Sequence, residues 1–185
     1  MVASLLAWPI LVGCAQQKHP MVTMEKMEPA PRPAALEKLD PLVGKWEGSG
    51  EGRMEGMDEP MKSTGTMTVS WDCDKRVLME RHEGQFGETK FSMLGVWAWD
   101  PAANHYRVYW FDNFGSCAEG TCTYDEASKT WHVKAKGVDA MTGSKTRGEG
   151  KMHMIDSNTM EHTWTEWDSW GLKKKGEFRG TSKRK

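Results

Sequence analysis

Apolar and polar positions alternate along short stretches of this chain, a pattern typical of β-strands with one face toward water. The alternation is clearest over residues 45–50, 66–71 and 130–135. In the last stretch, Trp131, Val133 and Ala135 alternate with polar neighbours. Weaker versions of the pattern predict seven further strands, near residues 76–84, 89–99, 104–112, 115–124, 147–155, 158–168 and 174–182.

An aromatic residue followed by aspartate recurs where these stretches end. Asp adopts turn conformations and accepts hydrogen bonds from the next backbone amides, whereas the aromatic residue suits a half-buried strand, so each pair predicts a strand end entering a hairpin. The pairs are Trp71-Asp72, Trp99-Asp100, Tyr124-Asp125 and Trp167-Asp168.

These strands and turns predict an all-β protein whose strands pair with their neighbours in sequence. About ten strands in an antiparallel meander avoid exposed edges by closing, so we expect an up-and-down barrel of lipocalin-like architecture. A two-sheet sandwich is the alternative. Apart from a short turn at Ala34 to Lys38, no amphipathic helix is indicated.

The first residues predict the location of the protein in the cell. Residues 5–12 form an apolar run that is too short to span a bilayer, and the run ends in Leu11-Val12-Gly13-Cys14. This tetrapeptide resembles the lipobox of bacterial lipoproteins, which makes residues 1–13 a signal peptide and Cys14 the lipid attachment point. Ala15 after the cysteine favours the outer membrane, with the domain facing the periplasm. No Lys or Arg precedes Lys18, and a chance Gly-Cys in a cytosolic protein is the alternative.

Residues 14–38 predict a tether, because proline at this density disfavours helix and sheet. The barrel domain is expected over residues 39–185. The chain has 25 basic and 26 acidic residues, so nothing in its charge suggests nucleic acid as a partner. Once Cys14 carries lipid, an odd number of cysteines remains, Cys73, Cys117 and Cys122, so at most one bridge can form within the monomer.

The stretch Leu42 to Gly48 resembles the Gly-x-Trp opening of lipocalin-like barrels, in which the tryptophan, here Trp46, plugs one end of the barrel. Together with Glu59-Pro60-Met61, Trp110 to Asn113 and Tyr124 to Lys129, it resembles the bacterial family called domain of unknown function 1579. The resemblance covers roughly residues 39–185 and implies a lipocalin-like barrel. At the level of architecture it also implies similarity to nitrobindin-type barrels, in which a histidine on a late strand binds haem iron.

Motifs of catalysis are not found in the sequence, and we expect a protein that is not an enzyme. Glu80 and His82 share a strand face and could form an acid-base pair. We interpret them as a solvated surface contact, which is the commoner role of such pairs.

Ligand binding is the preferred function, because ten tryptophans supply large aromatic surfaces for a flat or apolar ligand. His162 shares a face with Met160 and Trp164 and is expected to point inward, where it would contact the ligand or supply the axial nitrogen to haem. Trp110 and Trp131 complete the candidate ligand-binding set. A filled structural barrel without ligand is the alternative.

Copper is a further alternative. Met21, Met24 and Met27 recur every third residue beside His19, and thioethers suit Cu(I). Methionines in flexible tethers usually have no metal role, so copper ranks below an apolar ligand.

Overall fold

The computed structural model describes residues 28–140 and 142–185, and the description below concerns these residues. The predicted signal peptide, Cys14 and most of the tether lie outside this part. A 3-10 helix, Ala34–Leu42, precedes ten strands. The strands are β1 (Gly44–Met54), β2 (Met61–Asp72), β3 (Val77–Phe86), β4 (Thr89–Asp100), β5 (His105–Asp112), β6 (Cys117–Asp125), β7 (Thr130–Val138), β8 (Lys145–Asp156), β9 (Thr159–Asp168) and β10 (Lys174–Arg184).

The strands form one closed antiparallel barrel in which every strand pairs with its neighbours in sequence and β1 pairs with β10. The predicted up-and-down barrel is confirmed, and the sandwich alternative is wrong. Closure leaves no unpaired strand edge in the sheet, as expected for a meander of this length. Within the described residues, no helix has the length and apolar character that a membrane crossing requires.

All ten strands were predicted, but several are longer than their apolar patterns. β2 begins at Met61 rather than near residue 66, because its added inward positions are Ser63 and Gly65. These small side chains face the interior without giving an apolar signal. Strand length was therefore underestimated where the inner wall is built from small residues.

The aspartates that follow aromatic residues accept hydrogen bonds from backbone amides in the turns, as predicted. The Asp72 carboxylate accepts a hydrogen bond from Cys73 N at 2.6 Å, and the Asp168 carboxylate accepts one from Leu172 N at 2.8 Å. Asp100 and Asp125 accept hydrogen bonds from backbone amides two residues further on. Each carboxylate thus satisfies amides that no strand partner reaches.

The 3-10 helix covers one end of the barrel, which we call the closed end. Leu36, Leu39 and Leu42 are buried there. The Tyr106 hydroxyl donates a hydrogen bond to Ala35 O at 2.6 Å, and burial raises the pKa of this phenol to about 12. The compact unit that contains the barrel runs from Arg32 to Lys185, so the helix belongs to it, although the expected boundary between residues 38 and 39 falls inside the helix.

Trp46 lies fully buried at the closed end. Its indole Nε1 donates a hydrogen bond to Leu42 O at 2.9 Å, and the Arg184 guanidinium lies over the ring, 4.3 Å from the ring centroid. Arg184 also donates to Val43 O and Pro41 O, both at 2.6 Å. One arginine from the last strand therefore joins the plugging tryptophan to the chain that enters the first strand.

A candidate ligand site in the barrel interior

The barrel interior has two unlike halves. Next to the closed end, the inward side chains are packed against one another and fully buried, among them Leu78, Val108 and Met160. In the half away from the helix, the inward aromatic, methionine and histidine side chains are only half-buried. We call the inner surface of this half the cup; its main side chains are His82, Met93, Trp110, His162, Trp164 and Phe178. Because these residues point inward and still retain exposed surface, solvent reaches the cup.

Three indoles meet inside the barrel. The rings of Trp97 and Trp110 lie edge to face with centroids 6.3 Å apart, and those of Trp110 and Trp164 do the same at 6.4 Å. Trp110 is on β5 and Trp164 on β9, strands separated by three others in one direction and five in the other. The two indoles therefore meet across the interior and divide the packed half from the cup.

Glycines on the inner wall make room for these rings. A Cβ atom at Gly150 would lie 2.5 Å from Trp164 Cε3, and one at Gly120 would lie 3.2 Å from Trp110 Cζ3. The Phe178 ring packs against the backbone at Gly50 in the same way, since a Cβ atom at Gly50 would lie 2.7 Å from Phe178 Cζ. Rings thus lie directly on the backbone of neighbouring strands, and they form much of the surface that a ligand would contact.

A carboxylate and an imidazole face the cup from β3. The Glu80 side chain is 5% exposed, and its Oε2 lies 3.7 Å from His82 Nε2, an atom that is buried and has no hydrogen-bond partner among the described residues. The interpretation of this pair as a solvated surface contact is wrong. Inward neighbours on both flanking strands, Met67 and Gly95, place the two groups inside the barrel.

His162 points inward from β9, the face expected from alternation. Its Nε2 lies 2.9 Å from Ser182 Oγ on β10. Burial lowers the pKa of His162 to about 4; the nearby His82 lowers it further, and Glu80 opposes the shift. The imidazole is therefore neutral at pH 7 and can accept or donate one hydrogen bond at each nitrogen, depending on tautomer.

The five candidate ligand-binding residues separate into two groups. His162, Trp164 and Trp110 lie in the cup, whereas Met160 and Trp131 lie in the packed half and are fully buried. Trp131 packs on Tyr124, with centroids 4.6 Å apart. Alternation indicates which face a residue occupies but not its height along the barrel, and this is why Met160 and Trp131 were grouped with the cup.

Sequence reasoning paired Glu80 with His82 but placed both at the surface, and it missed Phe178. A signal existed for the first two: they follow Leu78 at intervals of two, and Leu78 is fully buried. His105, His132 and His153 face outward, because each alternates with an inward core residue.

The cysteines among the described residues contribute no side chain to the cup. Cys73 and Cys117 are exposed, Cys122 is buried, and all three are unbridged thiols. Burial raises the pKa of Cys122, and Glu80 raises it further. Over residues 28–140 and 142–185, no group of three or more His, Cys, Asp or Glu side chains is placed to hold a metal ion. His19, Met21, Met24 and Met27 lie outside the described residues.

Comparison with solved structures finds barrels of the same fold. The protein is similar to Rv2717c from M. tuberculosis, at 14% sequence identity and a TM-score of 0.63, over 84% of this chain and 99% of that one. It is also similar to the S-type phycobiliprotein lyase CPES from Guillardia theta, at 11% identity and a TM-score of 0.56, over 83% of this chain and 94% of that one. At these identities the likeness concerns the fold.

No curated protein matches the sequence. Residues 33–175, most of the chain and nearly all of the barrel, match a sequence family described as protein of unknown function, DUF1579. The chain belongs to this family.

Proposed function

We propose that the barrel binds one small, flat and largely apolar molecule in the cup, without catalysis. The observation that carries the proposal is the partial exposure of inward-facing aromatic side chains, Trp110, Trp164 and Phe178, on a wall of glycines. A filled structural barrel would bury these rings against one another, as the packed half does. Aromatic walls with a few polar groups are typical of small-molecule sites.

Titration with N-phenyl-1-naphthylamine, a neutral probe that fluoresces in apolar surroundings, tests this proposal. We expect saturable binding of one probe per chain. Trp164→Ala should weaken it about tenfold or more, because a stacking surface is lost. Trp170→Ala is the matched control, since Trp170 is 81% exposed in the β9–β10 loop. Unsaturable binding, or equal weakening by both substitutions, would contradict the proposal.

Haem is the larger ligand suggested by resemblance, and the cup fits it poorly. A neutral histidine is a suitable axial donor, but Nε2 of His162 is already bonded to Ser182 Oγ. The rings of Trp110 and Trp164, 6.4 Å apart, occupy the interior beside it. A porphyrin would therefore have to displace an indole, and a smaller planar ligand accords better with this arrangement.

Haemin titration addresses this directly. For a small-ligand barrel, we expect no saturable Soret shift, or the same shift in the wild type and in His162→Ala. A saturable shift that disappears in His162→Ala, with circular dichroism unchanged, would establish haem ligation and overturn the size argument.

We also propose that the barrel is tethered to a membrane through lipid on Cys14 and is extracytoplasmic. Support comes from the lipobox-like Leu11 to Cys14 and the proline-rich stretch that follows. One acyl chain anchors weakly, whereas two or more anchor stably.

The tethering test is expression of the full gene, including any upstream start, in a bacterial host, followed by fractionation. Wild type should partition with membranes and carry an acyl mass, and Cys14→Ser should do neither. If both proteins are soluble and neither carries an acyl mass, the lipoprotein proposal is wrong.

A further inference from the structure

Glu80 is a buried acid that forms no ion pair with a lysine or arginine among the described residues. Its nearest basic neighbours in sequence on β3 and β4, Arg81 and Lys90, are exposed and face outward. Within the described residues its ion-pair partner is His82, and at 3.7 Å the two groups are too far apart to form a hydrogen bond. In the part of the chain that the structure describes, no side-chain hydrogen bond to the Glu80 carboxylate is formed, so a ligand could supply a donor here that the protein itself does not.

An aromatic ring lies beside this carboxylate. Glu80 Oε2 and Trp110 Cδ1 lie 2.6 and 3.2 Å from the same point, the position that a Cβ atom of Gly95 would occupy. Because Gly95 has no side chain, the carboxylate and the indole can lie together over its backbone. An anion next to an indole edge, with further rings around it, is a favourable environment for an organic cation, because both the charge and the π faces attract it.

The unpartnered Nε2 of His82 adds a second requirement. When the imidazole is neutral, this nitrogen can accept a hydrogen bond. A group with several N–H donors can satisfy Glu80 and His82 together, whereas a hydroxyl offers one donor and a carboxylate offers none.

We propose that the ligand of the cup is an aromatic amine, protonated at neutral pH, whose ammonium group binds Glu80 and His82 while its ring packs against Trp110 and Trp164. This inference rests on the proposed function and specifies the chemical class of its ligand. It excludes acidic ligands, which would place a second negative charge beside Glu80.

Three naphthalene derivatives of nearly equal size test the inference at pH 7 by calorimetric titration of the whole chain. They are 1-naphthylmethylamine, 1-naphthalenemethanol and 1-naphthoic acid, which are cationic, neutral and anionic. We expect the amine to bind about tenfold more tightly than the alcohol, and the acid to bind most weakly. An amine that binds no more tightly than the alcohol would overturn the inference while leaving ligand binding intact. If none of the three binds, the proposed function itself is contradicted.

The substitution Glu80→Gln tests whether Glu80 causes the preference for the amine over the alcohol. This substitution keeps the shape of the side chain and removes its charge, so the ratio of the amine's affinity to the alcohol's affinity should fall from about tenfold toward one. An unchanged circular dichroism spectrum and unfolding midpoint report that the barrel is intact. Glu83→Gln, on the exposed outer face of the same strand, is the matched control and should keep the selectivity. A Glu80→Gln protein that still prefers the amine would overturn the assignment to Glu80.

Discussion

At the residue scale, the burial of His162 makes the stability of the barrel depend on pH. Its pKa is about 4 in the folded protein because of burial, against an ordinary value of 6.5. The unfolded chain therefore binds more protons between these values, and stability falls as pH drops through this window. Above pH 6.5 both states are neutral and the contribution is constant.

The corresponding prediction concerns His162→Gln. Glutamine stays neutral and can still bond the Ser182 hydroxyl, so acidification from pH 6.5 to pH 4 should cost it less stability than the wild type, by on the order of 3 kcal/mol. Urea unfolding at pH 7 and pH 4.5 measures the difference, with the outward-facing His105→Gln as the control for losing an imidazole. Equal acid sensitivity in wild type and His162→Gln would show that burial does not lower the pKa of His162.

Gly150 is the second residue whose role can be tested alone. A methyl group there would collide with the Trp164 ring at 2.5 Å and with Thr163 O at 2.6 Å. Gly150→Ala should therefore destabilise the barrel by about 1 to 3 kcal/mol and weaken probe binding, because the indole must leave the wall. Gly176→Ala is the control, since its nearest side-chain atom, Met54 Sδ at 3.1 Å, belongs to a flexible chain. Binding that survives Gly150→Ala unchanged would remove Trp164 from the site.

At the scale of elements, the 3-10 helix and the ends of β1 and β10 form one closing unit. Trp46 connects them through its hydrogen bond to Leu42 O and its contact with Arg184. Trp46→Ala should lower the free energy of unfolding by about 3 to 5 kcal/mol, since a fully buried indole is lost. Chemical denaturation measures this, with the exposed Trp170→Ala expected to change stability by less than about 0.5 kcal/mol. A midpoint that barely moves in Trp46→Ala would mean that the closed end does not depend on its plug.

The strands were predictable from sequence because each buries one face, and period-two alternation reports that directly. Ser63 and Gly65 show where this fails: small inward residues carry no apolar signal. The 3-10 helix exceeded the expected turn at Ala34 to Lys38 because Leu39 and Leu42 are held by contacts with the barrel, which local sequence does not encode.

The site was predictable only in part, for the same physical reason. Alternation placed His162 on the inner face, but polar residues such as Glu80 and His82 were assigned to water, since most such residues are solvated. Nothing local distinguishes Trp131 in the packed half from Trp164 in the cup, because height along a barrel follows from register across many strands.

At the scale of the whole molecule, the barrel combines a rigid closed half with an accessible half. The closed half concentrates the buried apolar residues, the helix and the Trp46 plug. The cup holds half-buried rings and two imidazoles, with the buried Glu80 carboxylate beside them. We therefore expect substitutions in the closed half to act mainly on stability and substitutions of the cup's rings to act mainly on binding.

Binding within the cup is the central claim, and the indole N–H signals of the tryptophans in a ¹⁵N–¹H spectrum test it most directly. With saturating 1-naphthylmethylamine, the signals of Trp110, Trp164 and the adjoining Trp97 should shift. Those of Trp46 at the closed end and Trp170 on the outer loop should stay in place. Each signal is assigned by single Trp→Phe substitutions. Shifts confined to Trp170, or a spectrum unchanged at saturation of a bound ligand, would contradict a binding site inside the barrel.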